Sequence, residues 1–206
     1  MPTPSAEEIL ALAIRHANAG RAEQARILCE HALARGPHPG VHQLLAVLSL
    51  QRGRPADAQR HADASLALRP DHLPTLAVAG DAALALRDAA AAARAFERIT
   101  ALAPAHADAW FRLALARQDA RDFDGAAAAL RESLRLKPES PEAEVNLGIV
   151  LQEAGRIEEA MAAYGRAYRL RRDTFGRIAH ALATPGVGRL YLDLDDLRAA
   201  LAAQAP

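Results

Sequence analysis

Prolines recur along this chain at a nearly constant interval. Pro37, Pro70, Pro104 and Pro138 are 33, 34 and 34 residues apart, and a period of this length indicates an internal structural repeat. An alanine stands twelve residues before each proline, and a fifth alanine continues the series: Ala25, Ala58, Ala92, Ala126 and Ala160. A second series of small residues precedes the first by twelve residues: Ala13, Ala46, Gly80, Ala114 and Gly148. The chain therefore contains five units, with one residue missing in the connection between the first two.

Each unit has the pattern of a helical hairpin. Two stretches of about a dozen residues carry apolar residues at helical spacing. Short breaks separate the two stretches: Gly20-Arg21, Gly53-Arg54-Pro55, Arg87-Asp88, Arg121-Asp122 and Gly155-Arg156. Small residues suit the points where two helix axes approach within about 8–10 Å. The prolines stop each second helix, because proline lacks a backbone N–H and disfavours helical geometry in the preceding residue.

Composition supports an all-α protein and argues against binding through bulk charge. Alanine fills 52 of the 206 positions, whereas Val, Ile and Thr number six, seven and five, which is too few for a sheet-rich fold. Lys plus Arg equals Asp plus Glu at 25 each, so no net field attracts nucleic acid or an anionic membrane. The 24 arginines beside the single Lys137 indicate a bacterial, GC-rich coding sequence. We find neither a secretory signal nor a membrane-length apolar run, and expect a cytoplasmic protein.

The units resemble the tetratricopeptide repeat, whose 34-residue signature runs Trp, Leu-Gly, Tyr, and later Ala, Phe and Pro. The fourth unit matches at these positions: Trp110, Leu113, Ala114, Ala126, Leu130 and Pro138. The fifth unit matches at these: Leu147, Gly148, Leu151, Gly155, Ala160, Tyr164 and Ala167. Arg117 departs from the signature at the Tyr position. The second unit has His42 at the Trp position and Ala62 at the Phe position, so we expect it to be loosely packed.

This resemblance implies an all-α fold, a right-handed α-solenoid of about five hairpins with a C-terminal capping helix and a short irregular or extended tail. The repeats would fill residues 6–172, and the cap and tail would fill 173–206. The individual units would lie at about these positions: 6–38, 39–72, 73–106, 107–140 and 141–174. Solenoids of this family hold a peptide or helix of a partner protein on a concave surface lined by the first helix of each hairpin.

The resemblance also assigns residues to that concave groove. The inward-facing positions are these: Leu10, Ile14, Gln43, Val47, Leu50, Ala77, Asp81, Leu84, Phe111, Arg112, Leu115, Gln118, Val145, Asn146, Ile149 and Gln152. Most are apolar, so we expect the partner to contribute an apolar helix or extended segment. A clamp for a C-terminal carboxylate is not expected, since only Arg112 and Asn146 could serve it. For any one of these residues, packing against a neighbouring repeat is the alternative.

No residue pattern indicates catalysis or a cofactor. His38, His72 and His106 recur every 34 residues, but equivalent positions of successive hairpins lie at least about 8–10 Å apart and cannot share one metal ion. Cys29 occupies an aromatic core position, which predicts a buried, unreactive thiol. We therefore expect no enzyme, no metal and no cofactor.

One dense basic cluster ends the fifth unit. It contains these residues: Arg166, Arg169, Arg171, Arg172 and Arg177. Cations near a helix C-terminus complement the helix dipole, and this is the interpretation we adopt. An acidic partner or an RNA backbone is the alternative, although few aromatic residues are available to stack on bases.

The C-terminal segment leaves the repeat register. Phe175 to Ala183 has the pattern of a capping helix, residues 189–194 alternate polar residues with leucines as a strand does, and Asp193 could cap a last helix. A lone strand requires a contact, either with its own solenoid or with a second molecule. The leading function is thus an adaptor or assembly factor. The alternative is a self-associating scaffold whose C-terminal segment docks on another copy.

Overall fold

The computed structural model describes residues 4–183 and 194–204, and within these ranges the chain is all-α, as predicted. The twelve described α-helices have these bounds: α1 Ala6–Asn18, α2 Ala22–Leu33, α3 Pro39–Gln51, α4 Pro55–Leu68, α5 Leu73–Ala85, α6 Ala89–Leu102, α7 Ala107–Asp119, α8 Phe123–Leu136, α9 Pro141–Glu153, α10 Ile157–Leu170, α11 Phe175–Leu182 and α12 Leu194–Ala202. The helices form two compact units, which meet in sequence between Leu102 and Ala103.

The N-terminal unit consists of three antiparallel hairpins, α1–α2, α3–α4 and α5–α6. Within this unit α2 packs on α3 and α4 packs on α5, while α3 also contacts the first helices of the hairpins on either side. The core of the first hairpin and the start of the second is built from residues such as Ile9, Val41, Leu45 and Leu48. A second buried cluster joins the second hairpin to the third and consists of Ala46, Ala62 and Ala79, with the partly buried Leu66 and Val78 packed against it.

The C-terminal unit contains two hairpins, α7–α8 and α9–α10, followed by a short 3-10 turn and two further helices. The turn, Arg172–Thr174, leads directly into α11, which packs against α9, and α12 packs against both α10 and α11. Leu197 and Leu201 of α12 are buried. The last two helices therefore cover the end of the fifth hairpin, which is the role predicted for a cap.

The small residues of the repeat lie at close contacts between helices, where a larger side chain would not fit. The alanines of both series are buried, with at most 1% of their surface exposed. A Cβ atom added at Gly80 would lie 2.6 Å from Cζ of Phe96, and one at Gly148 would lie 2.3 Å from Cε1 of Tyr164. In each of these two hairpins an aromatic ring of the second helix thus occupies the space that a side chain on the first helix would need.

The turn inside every hairpin uses a left-handed backbone conformation. Its residues are these, with φ between 61° and 77°: Gly20, Gly53, Arg87, Arg121 and Gly155. Glycine adopts this conformation without steric cost, whereas an arginine is strained there. The third and fourth hairpins therefore carry strain at a position where the other three have glycine.

The three periodic histidines stand immediately before first helices. Nδ1 of His38 accepts a hydrogen bond from the Val41 amide at 3.4 Å, and Nδ1 of His106 accepts one from the Ala109 amide at 3.3 Å. His72 instead bonds the hydroxyl of Thr75 at 2.8 Å. The first two act as side-chain N-caps, which satisfy backbone donors at the helix start.

Most of the predicted strand lies outside the part of the chain that the structure describes. Residues 189–193, including the proposed capping residue Asp193, lie outside the described residues. Leu194, the last residue of the predicted strand, is instead the first residue of α12. The alternation of leucines ends where Asp195 and Asp196 supply the acidic first turn that favours a helix.

Candidate protein-binding surface

In the N-terminal unit, the predicted groove residues lie on α1, α3 and α5 and are at least partly accessible. Ile14 is the most exposed of them at 42%. Gln43, Val47 and Leu50 are half-buried, and their spacing of four and three residues puts them on one face of α3. Leu10 has a packing role as well, because its Cδ2 lies 2.8 Å from the place of a Cβ on Gly40. It therefore fills the contact between α1 and α3.

The third hairpin continues this pattern on α5. Ala77, Asp81 and Leu84 are half-buried, and they too are spaced by four and three residues. Asp81 engages in a polar interaction within the protein. Leu84 is the accessible apolar residue of this helix face, and it lies close to the α5 C-terminus.

In the C-terminal unit, α7 and α9 carry the corresponding residues. Phe111, Leu115 and Ile149 are half-buried apolar side chains, and Arg112 is exposed. Two polar members make internal hydrogen bonds. The Gln118 amide donates to Oε2 of Glu153 at 2.7 Å, and the Asn146 amide donates to the Glu142 carbonyl at 2.7 Å.

Two predicted groove residues are not on the surface, and their assignment is corrected. Val145 is fully buried and Gln152 is only 3% exposed. The Gln152 amide donates to the Ala181 carbonyl of α11 at 2.7 Å, and its oxygen accepts a hydrogen bond from the Tyr164 hydroxyl at 2.9 Å. Burial raises the pKa of Tyr164, so that hydroxyl stays protonated and remains a donor. Gln152 thus joins α9 to α10 and to the capping helix.

A shallow cavity of about 190 Å³ adjoins Phe111. It is lined by these residues of α7, α8, the α8–α9 connection and the start of α9: Asp108, Phe111, Ser133, Lys137, Ser140 and Glu142. The pKa of Glu142 is lowered by its own backbone amide and by Arg171, so this carboxylate is ionised at neutral pH. The sequence predicted Phe111 as a groove residue. No sequence pattern singled out Lys137 and Ser140, which line the cavity from the connection before α9.

The C-terminal arginine cluster is occupied by internal contacts. Nε of Arg166 is 2.7 Å from Oε1 of Glu144, Nη1 of Arg169 donates to the Gln204 carbonyl at 2.6 Å, and Arg172 lies 4.3 Å above the Tyr168 ring. Arg171 pairs with Glu142 and with Asp173. Four of the five arginines of the cluster are thus engaged within the C-terminal unit: Arg166 and Arg171 join the α10 end to α9, Arg169 reaches the residues after α12, and Arg172 lies over Tyr168.

Cys29 is buried and its pKa is raised to about 11 by burial, so it is a thiol at neutral pH and not a nucleophile. Within residues 4–183 and 194–204, no group of three or more His, Cys, Asp or Glu side chains converges as a metal centre would require. No helix in the described part of the chain is both long and apolar enough to cross a membrane.

Stacked helical hairpins that present half-buried apolar residues define a helical-repeat protein of the kind that binds other proteins. Sequence profiles of the tetratricopeptide repeat match residues 78–117 and residues 117–184, which together make up just over half of the chain. The chain belongs to the tetratricopeptide repeat family. No curated protein matches it at the level of sequence.

Solved structures share the fold at low sequence identity. MamA AMB-1 is 23% identical, with a TM-score of 0.73 over 81% of this chain and 92% of that one. The MamA RS-1 ArsTM double mutant is 21% identical, with a TM-score of 0.77 over 82% of this chain and 96% of that one. TTC0263, a thermophilic tetratricopeptide repeat protein of Thermus thermophilus, is 25% identical, with a TM-score of 0.61 over 87% of this chain and 100% of that one.

Proposed function

We propose that this protein is a non-enzymatic adaptor or assembly factor that binds an apolar helix or extended segment of a partner protein. Its fold and family support the broader role of a protein–protein interaction scaffold. The observation that carries the finer proposal is the accessible apolar side chains on the first helices of each unit: Ile14, Val47 and Leu84 in the N-terminal unit, and Phe111 and Leu115 in the C-terminal unit. We further propose that the protein works in the bacterial cytoplasm, which fractionation of the native cells would test.

The binding energy would come mainly from apolar burial. Each Å² of apolar surface removed from water contributes roughly 25 cal/mol before the costs of association. Half-buried leucines and phenylalanines are suited to this, because they are already held by the scaffold and lose little conformational freedom on binding. The sparse charges on the same helices would set the orientation of the partner more than its affinity.

Crosslinking in cells followed by mass spectrometry would identify the partner, and charge substitutions would then test the surface. We expect Leu84→Glu, Phe111→Glu and Leu115→Glu each to weaken binding at least about tenfold, because a carboxylate on this surface must be desolvated when the partner binds. Leu68→Glu is the matched control, since Leu68 is 47% exposed on a second helix and its variant should bind normally.

Circular dichroism would verify that each variant keeps its helicity. Binding that survives all three substitutions would move the site away from the first helices. An equal loss in the Leu68→Glu control would show that added negative charge, and not its position, is responsible.

A second candidate function, self-association, is favoured by the way α12 docks. This nine-residue helix buries Leu197 and Leu201 against α10 and α11, and residues 184–193 connect it in sequence to the rest of the unit. The same surface could receive α12 from another copy. Light scattering on the protein with and without residues 184–206 separates the two functions: a monomer in both cases contradicts self-association, and a dimer only in the longer form supports it.

A further inference from the structure

The first helix, α1, exposes one side along most of its length. Glu8, Ala11, Leu12 and Arg15 are all exposed, and their spacing of three, one and three residues aligns them along one side of the helix. We call these four residues the α1 stripe. None of the four is a predicted groove residue, so the stripe is a second accessible surface of this helix.

Later hairpins bury the residues at these positions of the repeat. The residues at the Leu12 position are at most 6% exposed: Leu45, Ala79, Leu113 and Leu147. Leu12 itself is 37% exposed. In α3 the Glu8 and Arg15 positions are held by Val41 and Leu48, which are buried in the core that α3 shares with the first hairpin. The α1 stripe thus has the position of a helix–helix contact, but no helix among the described residues covers it.

A depression of about 410 Å³ adjoins the stripe where α1 meets α2. Its lining includes the apolar Ile9, Leu12 and Leu28 and the charged Glu8 and Arg35. A helix laid along the stripe can insert an apolar side chain here, as packing of side chains between helices requires. The surface is therefore shaped for a helix.

The charges of the stripe complement those of the same stripe in reverse order. Glu8 lies toward the N-terminus of α1 and Arg15 toward its C-terminus, with Ala11 and Leu12 between them. The Glu8 carboxylate is held in place, because its Oε2 accepts a hydrogen bond from the Ser5 amide at 2.7 Å. An antiparallel α1 from a second copy would set Glu8 beside Arg15 of that copy and Leu12 beside its Ala11. Two-fold symmetry would form each of these contacts twice.

The antiparallel orientation is also the one that the repeat uses at this position. The connection from α2 to α3 is only five residues long, and a short connection makes neighbouring helices antiparallel. An α1 from a second copy would thus lie on the first hairpin in the direction in which α2 lies on α3.

We propose that two copies of this protein pair through antiparallel α1 helices in a two-fold dimer. Leu12 and the apolar depression would supply most of the binding energy, and the pairs between Glu8 and Arg15 would set the orientation. One helix face is smaller than the roughly 1,200–2,000 Å² of stable interfaces, so the dimer is weak and forms as the protein concentration rises. This contact uses neither the partner-binding surface nor α12, and its failure leaves both of those proposals intact.

Sedimentation equilibrium of the untagged full chain over a range of concentrations tests the dimer. We expect the mass to rise from that of one chain to that of two. Leu12→Glu should weaken dimerisation at least about tenfold, because a carboxylate at the centre of the contact must be desolvated. Ile14→Glu is the matched control, since Ile14 is 42% exposed on another side of the same helix and its variant should dimerise normally.

Charge reversals test the antiparallel orientation. Glu8→Arg leaves two cations on the stripe and Arg15→Glu leaves two anions, so each variant alone should dimerise at least about tenfold more weakly. An equal mixture of the two variants should form a heterodimer, because antiparallel packing brings each reversed charge beside its opposite. The Ser5 hydroxyl accepts the backbone amide of residue 8 and continues to do so in Glu8→Arg, so the start of α1 is retained.

The mixture also separates the dimer from a role within one chain. The α1 dipole favours the original charges in a single molecule, but it cannot make two repelling variants associate. The proposal is overturned if the unchanged protein has the mass of one chain at every concentration, or if the mixed variants stay monomeric. A dimer that tolerates Leu12→Glu but is lost without residues 184–206 would belong to α12 and would likewise overturn it. So would a monomer in which Leu12→Glu weakens binding of the partner protein, since the stripe would then belong to that partner.

Discussion

At the scale of single residues, small side chains determine how closely the helices of each hairpin approach. Gly80 and Gly148 each face an aromatic ring at a distance that excludes even a Cβ atom, and the alanines of the repeat are buried without exception. The periodic alanines are therefore packing residues, and their uniformly small size follows from the close-packed interior of the protein. Added volume at these positions is predicted to be costly, even when it is apolar.

Ala126→Leu tests this expectation. Ala126 is fully buried near the start of α8, and a larger side chain would overpack the fourth hairpin, so we expect a loss of roughly 1–3 kcal/mol in the free energy of unfolding. Ala128→Leu is the control, because Ala128 is exposed on the same helix. A denaturant titration that gives Ala126→Leu the stability of the control would show that this position is not a close helix contact.

Backbone strain gives a second prediction at this scale. Arg87 has a φ of 62°, and we expect Arg87→Gly to stabilise the protein by about 1 kcal/mol because it removes the steric cost of the left-handed conformation. Gly155→Ala is the opposite change: its φ is 77°, and no atom lies within 4 Å of an added Cβ, so only the backbone conformation should destabilise it. Thermal melting of both variants checks the two signs, and shifts in the same direction would contradict the strain argument.

At the scale of elements, α12 and the residues that follow it make specific contacts with α10 and α11. A Cβ at Gly165 of α10 would lie 2.5 Å from Cβ of Gln204 and 3.0 Å from the Leu201 carbonyl oxygen. The guanidinium of Arg198 lies 4.4 Å above the ring of Phe175 on α11. The position of α12 therefore depends on a glycine in α10 that the repeat signature does not require.

We expect Gly165→Ala to displace α12 while the hairpins stay folded, because the added methyl group collides with the end of that helix. The readout is limited trypsin digestion, since cleavage at Arg198 should become faster than in the unchanged protein. Gly176→Ala adds the same methyl group to α11, where no atom lies within 4 Å of it, and should leave the cleavage rate unchanged. Equal rates for the two variants would contradict the proposed role of Gly165.

The elements predicted from sequence are those with local signals. Apolar periodicity, helix-breaking residues and each proline act on the helix in which they lie or which they end. These local signals correctly predicted the helical hairpins and the helix that follows them. The burial of Gln152 could not be predicted, because it depends on α11, which lies outside the repeat and bonds its side chain. The contact between His42 of α3 and His61 of α4, whose Nδ1 atoms lie 3.3 Å apart, was missed for a related reason: it depends on the rotation of two helices about their axes, which spacing alone does not fix.

At the scale of the whole molecule, each of the two units contains its own buried core. Beyond Ala103 the core is built around Leu113, Leu130 and Tyr164, and Leu197 and Leu201 of α12 complete it. Repeat proteins derive their stability from the individual repeats and from contacts between nearest neighbours. A unit with two hairpins and a capping helix has both kinds of contribution.

We therefore expect residues 103–206 expressed alone to fold into a helical protein with a cooperative thermal transition. Circular dichroism measures both properties. The same fragment truncated after residue 183 is the comparison, and it should melt at a lower temperature because it lacks the two buried leucines of α12. A fragment without any cooperative transition would mean that the C-terminal unit requires the N-terminal one to fold.

The recurrence of one turn conformation at Gly20, Gly53, Arg87, Arg121 and Gly155 has a consequence for how such a chain can change its length. From Gly53 onward, successive turns are separated by one whole repeat of 34 residues. A genetic exchange between two copies of the coding sequence at these turns would join backbones of matching geometry. It would insert or remove 34 residues, the length of one hairpin, and every following helix would keep its place in the repeat register.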